Sequence, residues 1–329
     1  METENTLLPK QVFSRVGLAM LTFLGSASVL QIVFSVVIGV AQELGAAWAD
    51  ADWLKWLVTF IPMYAFGFPL CLVVMKTAPK AADTRDVKLG GKNFFILLLM
   101  CFPIMYAGNL IGTLLSLLFS GSNAENPLMN YAYDTSIIKV LVMVFIGPFA
   151  EEYVCRKMVI DRCRPYGEKT AILFSAVTFG LFHGNLYQFF YAFGLGLLFA
   201  YVYTRTGRLR YSCLMHMVIN FFGSVLAPWV VSSVDLEALS DMTAILTNEA
   251  ALAEILPGLL LYLGYFLLLI GLSVTGLVLL IVKAKRFVFQ PAALELEAGS
   301  RFRTVYLNVG FILFFVICLG LIVASLFLT

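Results

Sequence analysis

Gly147-Pro148-Phe149-Ala150-Glu151-Glu152-Tyr153-Val154-Cys155-Arg156 sets two adjacent carboxylates and a guanidinium inside a segment otherwise built from Ile, Val, Leu, Met and Phe. A carboxylate at bilayer depth costs about 2.5–3.5 kcal/mol on insertion scales, so such groups face a protein interior, a partner or a wet cavity. A buried structural ion pair is the plain account of them, and a functional site the sharper one.

The surrounding chain supplies the bilayer. Its 329 residues are 61% hydrophobic and 13% charged, with a mean hydropathy of +0.92, a composition that excludes an ordinary soluble domain. Windows long enough to cross about 30 Å of hydrocarbon fall at 17–42, 54–75, 93–120, 137–160, 169–186, 187–204, 211–231, 256–282 and 304–327. The expected fold class is therefore all-α, a polytopic membrane protein of nine spans. The weakest boundary lies at His183–Tyr187, where two short spans meet and a re-entrant pair is the alternative. Lys10 and Arg15 precede an apolar run too long for a cleavable signal, so an uncleaved first span is expected.

Charge orders these spans. Lys10, Arg15, Lys76, Lys80, Arg85, Lys88, Lys92, Lys157, Arg162, Arg164, Lys169, Arg205, Arg208, Arg210, Lys283, Lys285, Arg286, Arg301 and Arg303 fall on one side, and Lys55 and Lys139 on the other. Nineteen against two places the N-terminus in the cytoplasm and the C-terminus outside. The plasma membrane is the expected location. A net charge of +2, distributed by topology, argues against a nucleic-acid partner. The six cysteines show no C-x-x-C pairing and read as reduced packing residues. The stretch 232–255, with Asp235, Glu237, Asp241, Glu249 and Glu254 and no Lys or Arg, reads as an external acidic loop. Neither a P-loop nor a G-x-G-x-x-G fingerprint is present, so nucleotide-driven transport has no support.

The chain has two histidines, and both lie inside apolar spans. A single intramembrane His is as often a packing residue as a functional one; both together shift the balance. Phe179 and His183 share a helix face at i, i+4, as do His216 and Asn220. At 1.5 Å per residue from the nearest basic marker, Glu151, His183, His216 and Asn220 lie roughly 16, 21, 9 and 15 Å into the membrane. One shared site accounts for that agreement in depth. Glu152 and Arg156 stand at i, i+4 with the acid N-terminal, the favourable order for a helical ion pair.

Glu151-Glu152-Tyr153-Val154-Cys155-Arg156, then Phe179-Gly180-Leu181-Phe182-His183, then His216-Met217-Val218-Ile219-Asn220 resemble the E-E-x-x-x-R, F-x-x-x-H and H-x-x-x-N motifs of one family. That family is the CAAX proteases and bacteriocin-processing enzymes, the CPBP or Abi intramembrane proteases. All three motifs match in order over about 137–230, which divides the chain into N-terminal helices at 1–136, a catalytic core at 137–230 and C-terminal helices at 231–329. The resemblance implies an endopeptidase acting on a hydrophobic peptide or membrane-protein substrate. Glu151 would be its general base, His183 would help to hold the water, and His216 and Asn220 would stabilise the oxyanion. Glu152 and Arg156 form the structural pair. In the competing metalloprotease reading, Glu151, His183 and His216 bind zinc. The metal-free reading is preferred, because the chain has no H-E-x-x-H helix and Asn220 is a poor zinc ligand. A secondary transporter with a Glu/His relay, or a non-catalytic scaffold, uses the same residues otherwise; the first would show inverted repeats, which are absent.

Overall fold

The computed structural model describes residues 7–81, 85–121, 124–235 and 249–327. Among them the chain is all-helical: α1 Pro9–Glu43, α2 Leu54–Met75, α3 Gly91–Ser120, α4 at 137–163, α5 Glu168–Phe182, α6 Leu186–Thr206, α7 Leu209–Ser232, α8 Glu249–Lys283, the short α9 Ala298–Val305, and α10 Val309–Phe327. Every expected window overlaps one of these helices. Seven of them are long and apolar enough to cross a membrane: α1, α2, α3, α6, α7, the stretch Leu252–Arg286 beginning within α8, and α10. The two that fall short are informative. α4 carries Lys139, Glu151, Glu152, Arg156, Lys157, Asp161 and Arg162, and α5 has 15 residues, or about 22 Å at 1.5 Å per residue. α4 and the residue that closes α5 supply four of the expected site residues, Glu151, Glu152, Arg156 and His183.

Two boundaries differ from the sequence reading. α1 begins at Pro9, eight residues early, because proline suits the first helical turn and the polar residues after it find partners, Arg15 reaching the Thr77 carbonyl. The acidic stretch 232–255 is partly helix, since α8 starts at Glu249; Glu237 and Asp241 lie outside the described residues.

α6 is the hub, packed on α3, α5 and α7, while α1 pairs with α2 and α10, and α8 lies against the outer face of α3. Small residues allow the closest approaches. A methyl group on Gly108 of α3 would stand 2.5 Å from the Tyr191 backbone nitrogen of α6, so Gly108 lets two backbones meet where any side chain would part them. The core holds Phe13, Phe23, Phe174 and Phe314, all fully buried. Outward faces of α3, α8 and α10 carry exposed Leu, Ile, Val and Phe, as lipid-facing helices should.

The loops rich in Lys and Arg gather at one end of the bundle. Glu168 is clasped by Arg85 and Arg205, Asp86 by Arg208, and Asp161 by Lys80 and the Tyr203 hydroxyl. Arg162 donates to the carbonyls of Met75, at 2.8 Å, and Ala78, at 3.0 Å, where α2 ends and its carbonyls lack helical partners. At the opposite end Lys55 pairs with Asp134 at 2.8 Å. All six cysteines are buried and free.

Candidate active site

Prolines shape the walls of the site before any charge does. α2, α4 and α7 each contain a π-helical turn, Pro62–Gly67, Leu141–Ile146 and Phe221–Leu226, and each turn ends two residues before a proline, Pro69, Pro148 and Pro228. Proline has no N–H and its ring presses on the carbonyl four residues back, so the preceding turn widens to i→i+5 bonding. In α4 the Gly147 N–H reaches back to the Val142 carbonyl. The Met143 carbonyl would then need the N–H of residue 148, which is proline. Asn220 supplies the missing donor, its Nδ2 lying 2.8 Å from that oxygen. A fourth π turn, Tyr153–Met158, follows the glutamates without a nearby proline.

Gly147–Glu152 thus forms a short α-helical piece between two widened turns, and it presents its two glutamates to different surroundings. The Glu152 side chain is fully buried and its carboxylate is held by Arg156 at both ends of the fork, Nε to Oε2 at 3.0 Å and Nη2 to Oε1 at 2.9 Å. Arg156 is fully buried too. Its Nη1 donates to Ser175 Oγ at 3.0 Å, the Ser175 hydroxyl donates to the Cys155 carbonyl at 2.7 Å, and the guanidinium lies 4.5 Å from the Phe179 ring centre. A charge pair sealed from water needs such complete satisfaction. Glu151, about 100° further round the helix, keeps 16% of its side-chain surface exposed and lines a cavity of about 480 Å³.

His183, His216 and Asn220 line the same cavity. The four residues that depth alone grouped are therefore brought together. His183 closes α5, and its Nδ1 is 2.8 Å from the Phe179 carbonyl. Since a carbonyl only accepts, Nδ1 carries hydrogen there and Nε2 is left as an acceptor. His216 stands between the glutamates, with Nδ1 3.3 Å from Glu152 Oε1 and Nε2 3.8 Å from Glu151 Oε2. The first approach is close but not aligned as a hydrogen bond. Phe179 connects the set: its ring meets the edges of His183 at 5.0 Å and His216 at 5.8 Å, while its face receives Arg156.

Sequence reasoning missed several contributors. Ser175 left no motif signal. Tyr64 comes close because position 147 is glycine, where a methyl group would stand 2.9 Å from the Tyr64 hydroxyl and 3.8 Å from Glu151 Oε1. Gln188 and Tyr191 of α6 line the cavity and are bonded to each other at 2.9 Å. The prolines inside apolar spans were the legible signal for the widened turns.

The cavity is closed toward the basic end by the buried Glu152–Arg156 layer. At its other end it is covered by the connection 124–136. That segment is strapped to α2 by Trp56 Nε1 donating to Asp134 at 2.8 Å and by the Thr59 and Tyr131 hydroxyls at 2.6 Å, and to α6 by the Tyr187 hydroxyl donating to the Ala124 carbonyl at 2.7 Å. Burial works against the charge on Asp134, but bonds from Lys55, Ser136 and Trp56 hold its carboxyl well below the usual carboxylate range.

Glu151, His183 and His216 do not converge as a metal-ligand cluster, and among the described residues no group of three His, Cys, Asp or Glu does. His183 has its Nδ1 committed to a carbonyl and the Nδ1 of His216 is turned to Glu152. Each imidazole thereby keeps its Nε2 free for the cavity side.

Residues 133–222 match the family model described as Type II CAAX prenyl endopeptidase Rce1-like. A Bacillus subtilis (strain 168) protein named "Putative membrane peptidase YdiL" is 25% identical over 167 residues, covering 47% of this chain and 67% of that protein. No solved structure matches the chain.

Proposed function

We propose that this multi-pass helical membrane protein, whose residues 133–222 match the Rce1-like CAAX prenyl endopeptidase model, is an intramembrane endopeptidase with a glutamate base. The observation that carries this reading is the unequal placement of the two glutamates. One faces a cavity beside two imidazoles and an amide, and the other is sealed against an arginine.

In the proposed reaction Glu151 takes a proton from a water whose hydrogen bond to His183 Nε2 fixes its position. The hydroxide attacks the scissile carbonyl carbon, and the resulting oxyanion is met by His216 from its cavity side and by the amide hydrogen of Asn220 not used on Met143. Collapse of the tetrahedral species breaks the C–N bond, and the Glu151 carboxylic acid returns its proton to the leaving amine. One peptide and one water give one carboxylate end and one amine end. Glu152 acts through His216, turning its Nδ1 away from the cavity, and Arg156 holds Glu152. No metal takes part.

The substrate is a hydrophobic peptide or a membrane protein, which meets the aliphatic and polar walls contributed by Leu24, Leu195, Leu321, Gln31 and Gln188. The proposed location is the plasma membrane, and the excess of basic residues on one side supports an orientation with those loops in the cytoplasm.

The test is a peptidase assay on purified protein in lipid nanodiscs, using quenched-fluorescent hydrophobic peptides. Glu151→Gln keeps the side-chain volume and removes only basicity. Turnover should fall about 10³-fold or more with an unchanged unfolding midpoint, and wild-type turnover should survive exhaustive chelation. Near-normal turnover of Glu151→Gln would overturn the assignment of the base. Loss to chelators with recovery on adding zinc alone would overturn the metal-free mechanism.

A further inference from the structure

A second recess lies at the basic end, about 25 Å along α6 from Gln188 at 1.5 Å per residue. It holds about 290 Å³ between α3, the last turn of α6 and the segment following α8. Ile96, Leu97 and Met100 of α3 form an apolar wall, and Arg205, Lys283 and Arg286 stand around it. Among the described residues no carboxylate lines it. Glu168 is the nearest acid engaged by Arg205, but it is shared with Arg85 and accepts from the Gln290 backbone N–H as well, so one negative charge faces two guanidinium groups. The Nε of Arg205 is buried without an acceptor.

We propose that this recess binds one anionic phospholipid. The phosphate sits among Arg205, Lys283 and Arg286, and an acyl chain lies along Ile96 and Leu97. The chemistry commits to that occupant, because the cations alone would suit any phosphate, whereas the adjoining apolar wall on a lipid-facing bundle suits a molecule that carries both parts. Basic recesses between helices at the cytoplasmic interface have this character. The inference is independent of the proteolytic reading.

The experiment is native mass spectrometry of full-length protein released from nanodiscs made with equal amounts of phosphatidylglycerol and phosphatidylcholine of matched chains. Wild type should retain one phosphatidylglycerol in clear preference. Lys283→Gln and Arg286→Gln should each weaken that retention about fivefold, and the double variant about thirtyfold. Lys76→Gln with Lys285→Gln removes the same charge outside the recess and should change retention less than twofold. Leu97→Trp, which fills the apolar wall and keeps all the charge, should also lose the bound lipid. Inorganic phosphate at millimolar concentration should not displace the lipid. The proposal is overturned by equal retention of the two lipids, by equal losses in the recess and control doubles, or by full competition from free phosphate, which would make the recess a simple anion site. Lys283 is only half-buried and Arg286 is exposed, so their variants fold and keep the test decisive even if Leu97→Trp does not.

Discussion

Glu151 and Glu152 are neighbours in the chain and live in different media. The first borders a cavity with polar walls, and the second is locked dry against Arg156, Ser175 and Phe179. The difference shows how a membrane protein keeps one carboxylate available. A single glutamate facing a cavity would leave its helix free to turn, whereas the adjacent glutamate, paired at i+4 and packed under an aromatic ring, sets the rotation of the whole turn. His216 reads both environments, one nitrogen toward each carboxylate.

The largest way to break that contrast is to damage the dry side. Glu152→Gln leaves Arg156 buried without its counter-charge and should cost about 3–5 kcal/mol of stability, seen as a lowered unfolding midpoint or yield. Glu152→Gln combined with Arg156→Met should recover part of that loss. Because Glu152 also orients His216, the rescued double variant should remain less active than wild type. A double variant with full stability and full turnover would reduce Glu152 to an ion-pair partner alone. A fully stable but inactive Glu152→Gln would instead make Glu152 the base.

Phe179 stands between the two sides and offers a smaller perturbation. Phe179→Leu keeps an apolar side chain and removes the ring under the guanidinium and beside both imidazoles. A loss of about 2 kcal/mol in stability is expected from the desolvated cation–π contact, together with reduced turnover at unchanged KM as the imidazoles lose their edge contacts. Unaltered thermal stability would remove Phe179 from the support of the ion pair.

The smallest expected effect is at the far wall. Asp134 has its carboxyl depressed by its partners, so the stability it contributes is present above the ordinary aspartate value near 4 and is lost as pH falls below it. The strap over the cavity should therefore hold through neutral pH and loosen only in acid below about pH 4. Asp134→Asn should remove that acid sensitivity for about 1 kcal/mol or less at neutral pH. Hydrogen exchange of the 124–136 amides measures both; an unchanged acid profile in the variant would clear Asp134 of the role.

Much of this arrangement follows from composition and spacing. Apolar run length located the helices, because a helix crossing hydrocarbon must satisfy its backbone internally and show apolar side chains outward. The i, i+4 rule paired Glu152 with Arg156 and Phe179 with His183, since such pairs depend only on the helix pitch. A rare charge in an apolar run is costly in lipid, which made Glu151, His183, His216 and Asn220 legible as a group. Other features required the fold. Which glutamate meets the cavity depends on how α4 rotates between two π turns, and the proline at 148 matters only because Asn220, from another helix, arrives at the carbonyl that this proline leaves unpaired. Ser175, Tyr64 and Tyr131 carry no periodic signal, because contacts between helices are set by packing and loop closure rather than by spacing along one helix. The covered end of the cavity and the basic recess beside α8 likewise exist only where distant segments meet, so tertiary structure alone decided them.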